Sequence, residues 1–148
     1  GDFHARFSAQ LRSYEYLIIN RRSPLTLYKN QAWGVFKQLN INAMKKAAIN
    51  FEGKHDFNGF RSIDCQASSS IKTIQSCTVK KNKQYIVINI AAKSFLHSQV
   101  RIIAGTLVDV GKGKISPTNI KKIIESKDRS KAGTTAPAHG LYLLKVEY

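Results

Sequence analysis

From residue 12 to 20 the chain alternates along the pattern of a strand. Tyr14, Tyr16 and Ile18 would share one face, and Glu15, Leu17 and Ile19 the other. Residues 21–24 interrupt the pattern, and Ser23-Pro24 opens an irregular connection that runs through Trp33 to Leu39. Met44, Ala47, Ala48 and Phe51 then recur at helical spacing, with Asn40 or Asn42 as the N-cap and Gly53 as the stop. Residues 55–70, rich in Asp, Asn, Gly and Ser, read as a loop. Residues 71–80 and 84–92 are the two arms of a hairpin around a Lys-Lys-Asn-Lys tip, and Ile86, Ile88 and Ile90 form its core face.

The next segment predicts a helix with Ser94 as N-cap and Gly111 past its end. Val100, Ile103, Ala104, Leu107 and Val108 fall at i, i+3, i+4, i+7 and i+8, and Ile102 adds apolar surface on another side. Such a helix is buried on more than one face, yet Arg101 sits inside it. A guanidinium keeps its proton, and burying it unpaired costs on the order of several kcal/mol. Either Arg101 snorkels to the surface or something approaches it. His97, Ser98, Ala104 and Gly105 lie one turn away on either side, and the small ones let a second backbone or a ligand come close. Beyond a basic loop at residues 112–116, Ser116 caps a helix with Pro117 at N1. Ile115 can staple against Ile120, and the helix runs to about Lys127. Residues 132–140 form a Gly/Thr/Pro loop and residues 141–147 a closing strand. The class is α+β: a mainly antiparallel sheet with about three helices packed on it.

At 148 residues the chain is one domain, a size that buries roughly 68–70% of its unfolded surface. Hydrophobic content of 43% places it among globular proteins. Charge changes the picture. Lys plus Arg number 24 against 9 for Asp plus Glu, a net charge of +15. A bias toward Lys, Asn and Ile accounts for the lysines but not for the scarcity of acids, so a polyanionic partner is expected. Tyr14 and Tyr16 are then either half-buried sheet residues or a platform for base stacking, worth ~1–3 kcal/mol per base. Lys80, Lys81 and Lys83, and Lys112 and Lys114, are either solvated turns or phosphate contacts. No P-loop pattern surrounds Lys112. Cys65 and Cys77 are too few for a disulfide framework, which suits the cytoplasm, and four histidines show no ligand spacing, so no metal is expected. No apolar run approaches the ~18 residues that span a bilayer. The chain opens on Gly1 and its only methionine is Met44, so it reads as part of a longer polypeptide. The residues by themselves stop at a basic α+β domain that binds RNA.

Several segments go further when read in order: Asp2-Phe-His-Ala-Arg-Phe-Ser-Ala9, Tyr14-x-Tyr16, His55-Asp-Phe57 with Phe60-Arg61, and Cys65-Gln-Ala67. Phe95-Leu-His with Val100-Arg101, Gly105-Thr-Leu107, Val110-Gly111, Lys127-Asp-Arg129, Thr135-Ala-Pro-Ala138 and Gly140-Leu-Tyr-Leu143 follow. Together they resemble the tRNA pseudouridine synthase A (TruA) family over essentially the whole chain. The resemblance implies an enzyme, without a cofactor, that isomerises uridine to pseudouridine at positions 38–40 on the 3′ side of the tRNA anticodon stem-loop. It implies a nucleophilic aspartate, a base that leaves its stack to be reached, and a homodimer. By the resemblance Tyr14 lies against the target uracil. Arg101 pairs with the nucleophile, holding it ionised. Arg6, Arg61, Lys112, Lys114 and Arg129 are candidate RNA contacts. One departure matters. The family's nucleophile lies in an Arg-Thr-Asp-Ala-Gly-type motif that this chain lacks, so the chain resembles the C-terminal domain without the catalytic aspartate. Asp56, Asp64, Asp109 and Asp128 stand in other contexts, and Ser13, Glu15 and Gln99 differ from the residues expected at their positions. A non-catalytic basic RNA-binding domain is the alternative.

Overall fold

The computed structural model describes residues 11–20, 31–62 and 69–148. Six strands and three α-helices follow in the order β1 (Leu11–Asn20), β2 (Trp33–Val35), α1 (Ile41–Ile49), β3 (Gly53–Asp56), β4 (Ile71–Asn82), β5 (Tyr85–Ala92), α2 (Gln99–Gly111), α3 (Ile120–Ser126) and β6 (Leu141–Glu147). The architecture is α+β, as the hydrophobic pattern predicts. The sheet runs β2-β1-β5-β4-β3. Along one side of β1 lies β5, antiparallel. Its other side is shared: β6 pairs antiparallel with Leu11–Tyr16 and β2 pairs parallel with Ile18–Asn20.

The alternation of β1 carries through to the core. Tyr16 and Ile18 are fully buried opposite Ile88 and Ile86 of β5. The β4 pattern is out of phase by one residue, since Ile74 and Cys77 are both buried although three positions apart. A register shift between Ile74 and Ser76 explains this: the bulge at Gln75 turns the following residues over, so both segments feed one core. Met44, Ala47 and Ala48 of α1 pack on that core, and the helix is tied to the end of α2 by Asn40 N–H donating to Gly111 O (2.9 Å).

Several boundaries differ from the sequence expectation. Asn40 caps α1, its side chain accepting from Ala43 N–H, but the helix ends at Asn50. Gly53 does not stop it; with φ +98° it opens β3 instead. The segment 55–70, read as loop, begins inside β3, whose four residues pair with Ile71–Ile74. Trp33–Val35, read as irregular, is a strand because Asn20 Nδ2 bonds Val35 O and Lys37 O (3.0 and 2.8 Å) and holds this short piece against β1. Ser94 does not cap α2. Its hydroxyl accepts from Lys72 Nζ (3.1 Å), and residues 94–98 form a turn that ends on Ser98 at φ +67°. Gly111 is the last residue of α2, with Lys112 as its cap. Ser116 does cap the next helix, accepting from Thr118 N–H, but its first turn is a 3-10 turn over Pro117–Asn119 before α3.

Candidate active site

The N-terminal turn of α2, the residues just before it and the cleft face of β1 enclose a cleft of ≈ 650 Å³. Arg12 and Tyr14, two apart on β1, share its wall with Phe95, His97, Ser98, Gln99 and Arg101. Tyr14 is half-buried, and its ring meets Phe95 edge-on at 5.3 Å and 83°, which fixes its orientation. Thus Tyr14 and Arg101, 87 positions apart by subtraction of their numbers, line one cavity. Among the described residues no Asp or Glu lines it.

Arg101 neither snorkels away nor finds a carboxylate among the described residues, whose ion pairs are Lys127–Asp56 and Lys145–Glu147. Instead Nε–H donates to Ala136 O (2.8 Å), while Ala136 N–H donates to Arg101 O (3.0 Å). This reciprocal pair clamps α2 to the strap at residues 133–137. The strap comes so close because Gly105 has no side chain: a Cβ there would lie 1.5 Å from Thr134 O. Thr106 Oγ1 accepts from Gly133 N–H (2.9 Å), and Asp109 Oδ2 accepts from Thr134 N–H (3.2 Å). The small residues flanking Arg101 therefore admit a second backbone, one of the two possibilities the spacing left open.

Tyr16 is an anchor of the same strap. Its phenol donates to Pro137 O (2.5 Å), and its ring stands edge-on to Trp33. Burial pushes the phenol well above its ordinary value near 10, against the opposing pull of the Arg101 charge. The unfolded chain ionises this phenol near pH 10 and the folded chain only at higher pH, so its contribution is intact below about 10 and is lost as pH rises past it. Tyr16→Phe is expected to cost about 1 kcal/mol at neutral pH through the lost bond, and to flatten the fall of stability above pH ~10. Urea titrations from neutral to alkaline pH measure both; an unchanged alkaline limb would contradict this role.

The remaining predicted residues separate. Arg61 is not among the residues that line the cleft, although its neighbour Ser62 bonds His97 Nδ1 (2.8 Å) and His97 O (3.2 Å) through its hydroxyl and backbone N–H. Lys112 and Lys114 follow the opposite end of α2, roughly 16 Å along the helix from Arg101. Arg129 is committed to the strap: NH1 donates to Gly133 O (2.8 Å) and NH2 to Thr135 Oγ1 (2.9 Å). Arg6, Asp64 and Cys65 lie outside the described residues. Asp56, Asp109 and Asp128 serve local turns and the strap. Among the described residues no group of His, Cys, Asp and Glu could hold a metal ion. Sequence reasoning missed Arg12 and Phe95. Arg12 was legible, because it lies two positions before Tyr14 on the same strand face; Phe95 required the turn before α2. Gln99 is fully buried in the cleft wall, with Oε1 accepting from Leu96 N–H (2.8 Å) and no partner for Nε2 among the described residues.

A family model described as tRNA pseudouridine synthase matches residues 47–148, more than half of the chain, and the chain belongs to this family. It is 54% identical over 147 residues to the tRNA pseudouridine synthase A of Ehrlichia ruminantium (strain Welgevonden), covering 99% of this chain and 60% of the relative. Similar proteins of the same name occur in Anaplasma phagocytophilum (strain HZ), 52% identical over 147 residues, and Wolbachia pipientis wMel, 50% over 146; coverage is the same in both. The chain thus spans about 60% of the length of the curated relatives it matches. No helix among the described residues is long and apolar enough to cross a membrane.

Proposed function

We propose that this chain is the C-terminal domain of a tRNA pseudouridine synthase that isomerises uridine on the 3′ side of the anticodon stem-loop. The observation that carries the reading is that Tyr14 and Arg101 line one cleft, in a chain that belongs to the tRNA pseudouridine synthase family. In this reading the target base leaves its stack and lies against Tyr14, whose ring Phe95 holds in place. Arg101 receives the carboxylate of an aspartate supplied from elsewhere in the polypeptide. Its fixed charge keeps that carboxylate ionised and nucleophilic. The carboxylate attacks the nucleoside and the glycosidic C–N bond breaks; the freed uracil turns, C5 joins the sugar as the carboxylate is released, and the C5 proton passes to solvent while N1 takes one up. No cofactor takes part, since the substrate's own atoms are exchanged. The net charge of +15 suits a tRNA ligand. We place the protein in the cytoplasm as a homodimer; exposed Tyr142, Leu143, Leu144 and Tyr148 give apolar surface for association.

Release of tritium from C5-labelled uridine in unmodified tRNA tests the reading. The full-length polypeptide is expected to turn over, and the 148-residue chain alone is not, because it has no Arg-Thr-Asp-Ala-Gly-type motif. Turnover by this chain alone would refute the assignment of the nucleophile. A full-length polypeptide that binds tRNA without any release would favour the non-catalytic RNA-binding domain instead.

A further inference from the structure

We infer that the turn Lys93-Ser94 is a phosphate saddle, which carries the RNA backbone over the rim of the cleft beside the nucleotide held there. The inference rests on the proposed RNA-modifying reading and adds a binding site to it. The turn leaves the end of β5 and separates two depressions: the cleft of Tyr14 and Arg101, and a smaller groove of ≈ 450 Å³ that includes Lys72 and Lys93. Ser94 lines both.

Two cations are tethered to this dipeptide. Arg12 NH1 donates to Lys93 O (2.6 Å) from the cleft side, and Lys72 Nζ donates to Ser94 Oγ (3.1 Å) from the groove side. Lys93 itself is exposed and supplies the third. Among the described residues none of the three is in an ion pair and no Asp or Glu lines either depression. Three like charges gathered on one turn repel each other, and solvation by water relieves that only in part; a phosphodiester relieves it directly. The geometry favours nucleic acid over an acidic peptide. A nucleotide entering the cleft carries a phosphate on each side of its sugar, so the strand must cross the rim, and the rim at Ser94 is where these cations stand. Phosphate contacts of this kind fix position without reading sequence.

The test is RNA binding by the full-length polypeptide, measured by fluorescence anisotropy with an anticodon stem-loop across a salt series. Lys72→Ala with Lys93→Ala is expected to weaken binding by about tenfold at low salt. It should also reduce the slope of log K against log salt by about 2, one for each lost phosphate contact. Lys45→Ala with Lys46→Ala, on exposed positions of α1, removes the same charge and is expected to leave the slope nearly unchanged. The loss should be equal for a stem-loop carrying cytidine in place of the target uridine. An unchanged slope in the Lys72/Lys93 variant, or equal losses in both double variants, would overturn the saddle while leaving the enzymatic reading intact. Failure of the unaltered polypeptide to bind the stem-loop at all would overturn both.

Discussion

Replacing Arg101 with alanine in the full-length polypeptide is expected to lower kcat for pseudouridine formation by roughly two to three orders of magnitude. RNA affinity should change far less. The reason lies in how the side chain is held. Its Nε–H is committed to Ala136 O, so the guanidinium plane is set before any ligand arrives. It lines the cleft as a charge that cannot be neutralised by proton loss. Its field already reaches the Tyr16 phenol, where it opposes the effect of burial. A carboxylate brought into this cleft would be stabilised as the anion by the same field, the form that the proposed reaction requires. Arg101→Lys retains the charge but not the planar donor to Ala136 O, so it should recover only part of the rate. Single-turnover kinetics alongside equilibrium binding separate the two effects. Parallel losses of rate and affinity in Arg101→Ala would mean that the residue is merely another phosphate contact.

Gly105→Ala should be the most damaging glycine-to-alanine substitution among the described residues. A methyl group there would sit 1.5 Å from Thr134 O and 2.6 Å from Thr134 C, which are backbone atoms with no rotamer to yield. Either α2 or the strap must move, and the strap cannot move without releasing Arg101, Tyr16, Thr106 and Asp109 together. A cost of at least ~2 kcal/mol is expected, equivalent to a fall in Tm of roughly 4–8 °C for a domain of this size. Gly113→Ala is the informative contrast. Gly113 has φ +82° but open space around it, so it should lose only ~1 kcal/mol from its backbone conformation. Thermal melts of both variants decide the matter. Wild-type stability in Gly105→Ala would show that the strap is not held against the helix as described.

Much of this was legible from residue order. The alternation of β1 grouped Tyr14, Tyr16 and Ile18 on one face without showing that Tyr16 is fully buried, whereas Ile86, Ile88 and Ile90 are the core face of β5 as read. Period and composition suffice along most of β5 because its side chains alternate toward the core, but at the end of β1 Ile19 is buried on the other face as well. The helix around Arg101 was legible from its 3.6-residue apolar period, although its start was not. Ser94 looks like a cap by type, but Lys72, distant in sequence, engages its hydroxyl. The bulge at Gln75 and the parallel pairing of Trp33–Val35 were equally hidden, since both depend on a partner strand that local pattern does not specify.

Residue order alone carries the α+β class, the basic charge, the core faces of β5 and α2 and, through its ordered motifs, the family. It also singled out Tyr14 and Arg101. That they share a cleft follows from folding alone, because cavities form where elements far apart in the chain meet. Folding likewise assigned Arg129 to the strap and left Arg12, Lys72 and Lys93 around one turn. A cation's role is set by what stands within reach of it, and neither residue type nor spacing along the chain encodes that distance.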